Sequence, residues 1–245
     1  MRGSQISQFS KQSEMNQSSR SSFQAFEKDY PRFDSLDPSL DGGFKIIYIE
    51  ELPITIKLLE GIESFNETTN VEPILIKMMQ KTTGKEKRLD TIKIELTTEA
   101  DLFFNFVFEA NDVTFLKMKK KQKWNIDFDQ LSSSIIKMLT SCQRDPHNFQ
   151  LAFEINKDLN AELIISQTTE FKQVELMKLD FMTQSQENIR QSVVFRFNLV
   201  KAKVMISTQR VNDTITILQE QNPILCDFIK KNTSLVRPKQ YSSNY

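Results

Sequence analysis

General acid–base chemistry needs a titratable side chain held beside its target, usually oriented by a second group. The chain offers one histidine, His147, which follows Pro146 in a segment that reads as a linker, RDPHN (144–148). A histidine in that setting is a solvated side chain. Glu50 and Glu51 are adjacent in sequence, so in a strand they point to opposite faces and cannot share a proton. Cys142 and Cys226 match no metal-ligand spacing and no disulfide framework. There is no glycine-rich phosphate loop and no dinucleotide fingerprint. These residues predict a non-enzymatic protein with no catalytic residue, no cofactor and no metal. What is left is binding chemistry, and it concentrates at two places. In TTEFKQ (168–173), Phe171 stands among Thr169, Glu170, Lys172 and Gln173, where two strands should join. A turn ordinarily shows water its polar side chains. An aromatic ring at the tip either folds back into its own core or docks into something else. Phe171, Glu170 and Lys172 are therefore the candidate self-association residues. The second place is KMKKKQK (117–123), where Lys117, Lys119, Lys120, Lys121 and Lys123 read either as a solvated loop or as a contact for an acidic partner.

The elements that must hold these residues can be read from pattern. The 245 residues carry 32 basic and 32 acidic side chains, so nothing global favours nucleic acid or an anionic membrane. No apolar run approaches the roughly 20 residues that span a bilayer. The polar, serine-rich N-terminus has no hydrophobic signal core, which predicts reduced thiols in a cytosolic protein. Residues 1–43 are rich in serine and glutamine, lack periodicity and read as disordered, with Phe9, Phe23, Phe26, Tyr30 and Phe33 spaced like short docking stickers.

Order is expected from Phe44. FKIIYIEELPITIKLL (44–59) reads as two short extended runs broken near Pro53, VEPILIKMMQ (71–80) as a strand, and KTTGKEKR (81–88) as a hairpin-like link turning at Gly84. In TIKIELT (91–97), Ile92, Ile94 and Leu96 face one way and Lys93 and Glu95 the other. DLFFNFVFEA (101–110) is an aromatic strand, NDVTFLKMKK (111–120) one or two helical turns, and WNIDF (124–128) extended. Trp124 reads as a lid on the core. DFDQLSSSIIKMLTSCQ (127–143) is an amphipathic helix capped by Asp129, with Leu131, Ile135, Met138, Leu139 and Cys142 on its apolar face. FQLAFEI (149–155), AELIISQ (161–167) and QVELMKLDF (173–181) close the set as strands. A long helix follows from Ser185 to Gln221, with Phe197, Val200, Val204, Val211 and Leu218 at seam positions of a heptad. Ser207 and Thr214 occupy the other seam positions. Pro223 is expected to end that helix. The domain plan is thus 1–43 extension, 44–184 head, 185–221 helical stalk and 222–245 largely irregular tail.

This order of elements resembles the head domain of the centriolar cartwheel protein family, spindle assembly abnormal protein six. The resemblance is carried most strongly by TIKIELTTEADLFFNFVFEANDVTFLKMKKKQKWNIDFDQLSSSIIKMLTSC (91–142). FQLAFEI and IISQTTEFKQVELMKLDF match the closing strands, and FKIIYIEELPITIKLL matches the opening ones more loosely. It implies a mainly β fold with helices (α+β), a small β-sandwich or barrel capped by an amphipathic helix and followed by a stalk. It also implies that a hydrophobic residue between the last two head strands inserts into a pocket of a second head, the position that Phe171 occupies. Self-association, possible stalk dimerisation and other centriolar or axonemal proteins are the partners so implied, at a centriole, basal body or cilium; tubulin enters as an acidic partner that the lysine run could meet. The chain departs from the family in three ways: a short stalk of at most about 55 Å, a lysine run in place of a more neutral loop, and the serine-rich extension. The short stalk brings it nearest to the family's short relatives that lack the rod. Scaffold proteins of DNA end-joining share the head architecture, and in that alternative the lysines would meet phosphates.

Overall fold

The computed structural model describes residues 36–59, 69–84 and 88–233. Among them seven strands close into a barrel: β1 (Lys45–Leu58), β2 (Thr69–Thr83), β3 (Arg88–Thr97), β4 (Asn105–Asn111), β5 (Phe149–Ile155), β6 (Asn160–Thr168) and β7 (Gln173–Thr183), in the spatial order β1-β2-β3-β4-β7-β6-β5. Helices α1 (Asp112–Gln122) and α2 (Phe128–Arg144) lie between β4 and β5 in the chain, and α3 (Gln186–Gln221) and α4 (Pro223–Thr233) follow β7. The chain divides after Val193 into two compact units, so the first turns of α3 belong with the barrel.

Alternating residues build the interior. Ile92, Ile94 and Leu96 of β3 are fully buried, as are Ile74, Ile76 and Met78 of β2. The aromatic strand β4 sends Phe106 and Phe108 inward, where Phe106 meets Phe153 of β5 edge-on at 5.1 Å and Phe153 meets Phe181 of β7 at 5.7 Å. The amphipathic helix α2 seats Leu131, Ile135, Leu139 and Cys142 in the core. Each large side chain so buried contributes about 1.5–3 kcal/mol. Trp124 packs 6.1 Å from Phe115, in keeping with a lid on the core.

Local chemistry corrects several expectations. β1 runs unbroken through Pro53, which lies opposite Pro73 of β2. At that level β1 has not yet met β5, whose pairing starts at Thr55, and β2 has not yet met β3, whose pairing starts at Leu75. Each proline therefore sits where its strand has one free side, which is where a strand tolerates it. The aromatic strand begins at Asn105, and Asp101–Phe104 form a turn that leaves Phe103 exposed. α1 runs for three turns because Asn111 caps it, accepting from the Val113 and Thr114 backbone N–H groups while Thr114 Oγ1 accepts from the Asn111 N–H. The lysines expected in a loop lie on this helix instead, with Lys123 closing it in the left-handed conformation at φ 56°. Residues 124–127 are irregular rather than extended, and Asp127, not Asp129, takes the N-cap of α2. Gln130 reaches back to the Asp127 N–H at 3.2 Å. Pro223 starts α4, so residues 223–233 are helical and not an irregular tail. Asn222 Oδ1 accepts from the Leu225 N–H and caps this new helix. Residues 38–40 form a 3-10 turn on the barrel rather than part of a disordered extension, while the aromatic stickers between Phe9 and Phe33 lie outside the described residues.

The barrel has one thin seam. β4 and β7 pair only at Phe106 with Thr183 and Val107 with Met182. Gln122, at the end of α1, fills in for the missing strand contact. Its Nε2 donates to the Lys178 carbonyl at 2.7 Å, and its Oε1 accepts from the Lys178 N–H at 2.8 Å. Gln122→Ala strands both backbone groups of a half-buried residue. The expected loss is about 1–3 kcal/mol in urea unfolding of the full chain.

Candidate functional site

The turn between β6 and β7 is short and closed by its own hydrogen bonds. Strand pairing runs to the last possible pair, Thr168 with Gln173, which leaves four residues to turn the chain. Thr169 closes them. Its N–H and its hydroxyl both donate to the Lys172 carbonyl, at 2.9 and 2.6 Å, and the hydroxyl accepts from the Lys172 N–H at 3.2 Å. The base of the turn is tied down by Thr168 N–H donating to the Asn148 carbonyl at 2.7 Å and by Gln173 Nε2 donating to Gln150 Oε1 and Ser166 Oγ. A loop this short and this well bonded has no slack to fold back. Phe171 is 90 % exposed, and Glu170 and Lys172 on either side are exposed too. Leaving a phenylalanine in water forgoes about 1.5–3 kcal/mol that burial would supply.

The second set of residues shares one stripe of α3. Phe197 is 67 % exposed and Val200, Val204 and Val211 are each more than half exposed, while Leu218 is half-buried. Spacing of three, four and seven residues puts them on one helix face. Ser207 and Thr214 interrupt the stripe, and apolar side chains are also exposed elsewhere on the helix, Val194, Met205 and Ile217 among them. No helix among the described residues is long and apolar enough to cross a membrane.

The lysine run splits in two. Lys119 is half-buried and makes a surface ion pair, its Nζ 3.1 Å from Asp127 Oδ1 and lying over the Phe115 ring at 5.9 Å. Lys117, Lys120, Lys121 and Lys123 are exposed. Those near the helix end complement the partial negative charge of its carbonyls, which accounts for part of the run without any partner.

Residues that could have carried catalysis lie apart. His147 is exposed in the turn before β5, and Glu50 and Glu51 are both exposed on β1. Among the described residues no group of three metal-ligating side chains comes together. Cys142 is buried in the core, and burial pushes its thiol up from 9.0 to about 11. The neutral thiol is the form that the fold favours. Stability from this residue is therefore complete below pH 9 and is lost as pH rises toward 11. Alkylation of Cys142 by iodoacetamide at pH 8 is expected only after denaturation, read by peptide mass spectrometry.

One cluster escaped sequence reading. Lys77 of β2 and Glu95 of β3 pair across the strands, with Lys77 Nζ 2.7 Å from Glu95 Oε2, and Asp37 of the preceding segment reaches the same ammonium group at 3.1 Å. Asp37 and Glu95 are nearly fully buried. The alternation of TIKIELT places Glu95 on the side away from Ile92, Ile94 and Leu96, and it gives no reading of Lys77. The approach of Asp37 from a low-complexity segment was not legible.

The family model described as the centriolar protein SAS N-terminal domain matches residues 46–181, more than half of the chain. An N-terminal fragment of a Leishmania SAS-6 mutant, containing parts of its coiled coil domain, superposes with a TM-score of 0.61 at 19 % identity, covering 74 % of this chain and 98 % of that one. A Drosophila melanogaster Sas-6 fragment, dimerised through its coiled-coil domain, gives 0.60 at 12 % identity over 81 % and 94 % of the two chains. An N-terminal coiled-coil dimer of C. elegans SAS-6 gives 0.53 at 12 % identity over 69 % and 98 %. No protein of curated function matches the sequence.

Proposed function

The chain belongs to the family of the centriolar protein SAS N-terminal domain, and from that membership we propose that it is a structural subunit that self-associates through its barrel head and its α3 stripe. The observation that carries the reading is Phe171, 90 % exposed on a rigid polar turn. Two heads that exchange Phe171 make an isologous contact, with the same patch serving both sides. Glu170 and Lys172 flank the ring with opposite charges, so a two-fold exchange can set the acid of one copy against the base of the other. Two buried rings supply about 3–6 kcal/mol before the cost of association, which makes a weak contact.

A weak contact becomes effective when a second interface links the same molecules, because the next encounter is then intramolecular. The α3 stripe supplies the second. The Drosophila and C. elegans fragments are coiled-coil dimers, and the stripe on α3 follows heptad spacing interrupted by Ser207 and Thr214. Two kinds of two-fold contact alternating along an assembly generate a ring or a filament according to the angle between them. The site of action on this reading is a centriole, basal body or ciliary axoneme, with other centriolar or axonemal proteins as neighbours. Lys117, Lys120, Lys121 and Lys123 would face an acidic partner such as tubulin.

The stalk half of the proposal is tested by placing charge in the seam. Val204→Glu with Val211→Glu is expected to convert a stalk dimer to monomer in sedimentation equilibrium at micromolar concentration, without changing the thermal midpoint of the head. An unchanged mass would rule out the seam.

A further inference from the structure

Helix α1 turns one face to the barrel and the other to solvent. Phe115 is buried in the core, and Met118 packs against it. On the opposite side Val113, Leu116, Lys117 and Lys120 follow i, i+3, i+4, i+7 spacing and form one stripe, with Lys121 beside it. All five are exposed, Val113 at 62 % and Leu116 at 55 %. The stripe is therefore apolar in its first half and basic in its second, along a helix about 16 Å long.

The charge at the basic end is not matched from within the fold. Lys119 is held by Asp127, whereas Lys117, Lys120, Lys121 and Lys123 make no ion pair among the described residues. The carbonyls that end α1 carry about half a unit of negative charge, far short of four cations. The apolar end has a different surround. Val113 and Leu89 border a shallow cavity of about 340 Å³, with Arg88, Asp90 and Asp112 also in its wall. Arg88 Nη2 pairs with Asp112 Oδ2 at 3.2 Å, so the charge left over at this end is the carboxylate of Asp90.

The two ends select a partner with two matching halves. A nucleic acid carries phosphates along its whole length, so it matches the lysines and sets charge against the carboxylates at the other end. An acidic stretch of polypeptide confines its charge to part of its length and brings apolar side chains as well. We propose that the outer stripe of α1 docks an acidic polypeptide segment with an apolar side chain at one end. That side chain lies between Val113 and Leu89, and the carboxylates meet Lys117, Lys120 and Lys121. This site rests on the reading of these lysines as a contact for an acidic partner, and it needs neither Phe171 nor the α3 stripe.

The test is fluorescence anisotropy of dye-labelled dodecapeptides titrated with the full chain. The parent peptide has a leucine pair at one end and a run of glutamates at the other, and is made in both orders. One control replaces the leucines with glutamine, another the glutamates. The parent peptide is expected to bind saturably in at least one order, and each control about tenfold more weakly. Lys117→Gln with Lys120→Gln and Lys121→Gln, and separately Val113→Gln, should each weaken the parent peptide about tenfold. The thermal midpoint should stay within about 2 °C, since these are exposed positions. Equal binding with and without the leucines, or a Val113→Gln chain that binds as the parent does, would overturn this site and leave a purely acidic contact standing. No saturable binding of any peptide would remove both readings. Tighter binding of a DNA dodecamer than of the parent peptide would also overturn the proposal.

Discussion

Phe171→Glu in the full chain is expected to remove every species larger than the stalk dimer in sedimentation velocity. The ring is the one large apolar group on an otherwise polar turn, and it is 90 % exposed, so its loss takes nothing from the folded head. The thermal midpoint should stay within about 1 °C, since surface substitutions away from special features usually change stability by less than about 0.5 kcal/mol. Association should suffer far more. Two exchanged rings contribute about 3–6 kcal/mol, which converts to roughly 10²–10⁴ in dissociation constant, and the substituted carboxylate would have to be desolvated in the acceptor. Phe171→Leu should retain most of the assembly, because it keeps an apolar side chain. Persistence of the larger species in the glutamate variant would mean that the heads meet elsewhere or not at all.

The largest stability effect is expected at Lys77. Its side chain is 13 % exposed and stands between two carboxylates that are themselves almost fully buried. Lys77→Met leaves Asp37 and Glu95 near each other with no cation. Breaking a buried ion pair from one side costs about 3–5 kcal/mol, because the remaining charge is uncompensated. For a head of this size that is a drop of roughly 6–20 °C in the thermal midpoint. Adding Asp37→Asn and Glu95→Gln to Lys77→Met removes the stranded charges and should restore more than half of the loss. A midpoint within about 2 °C of the parent for the single variant would show that water reaches this cluster in solution.

These two sites differ in how far sequence revealed them. Phe171 was legible because its neighbours are all polar, so an aromatic among them contradicts the turn chemistry. The barrel strands were legible for a similar reason: period-two alternation in TIKIELT fixes which residues face inward, whatever the rest of the chain does. Pro53 misled, because whether a proline breaks a strand depends on whether the strand has a neighbour on that side, and that is a property of the sheet. Gln122 carried no signal at all. A glutamine at the end of a lysine-rich helix reads as solvent-facing, and only the thin β4–β7 seam gives its amide two backbone groups to satisfy. Asp37 was hidden in the same way, inside a segment whose composition argues against order. The α4 helix was missed because Pro223 was read as a stop, although proline is at home in a first helical turn.

Ring closure has a consequence for how the protein is made. β1 meets β5 in parallel, and the Lys57–Glu154 bridge across that joint spans 97 positions in the chain. A nascent head emerging from the ribosome can zip β1, β2, β3 and β4 as neighbours, but the far side of β1 stays bare until Ile155 has been synthesised. During that interval the chain presents an uncovered strand margin to its surroundings, and crowding among unfinished copies is the hazard that this topology carries.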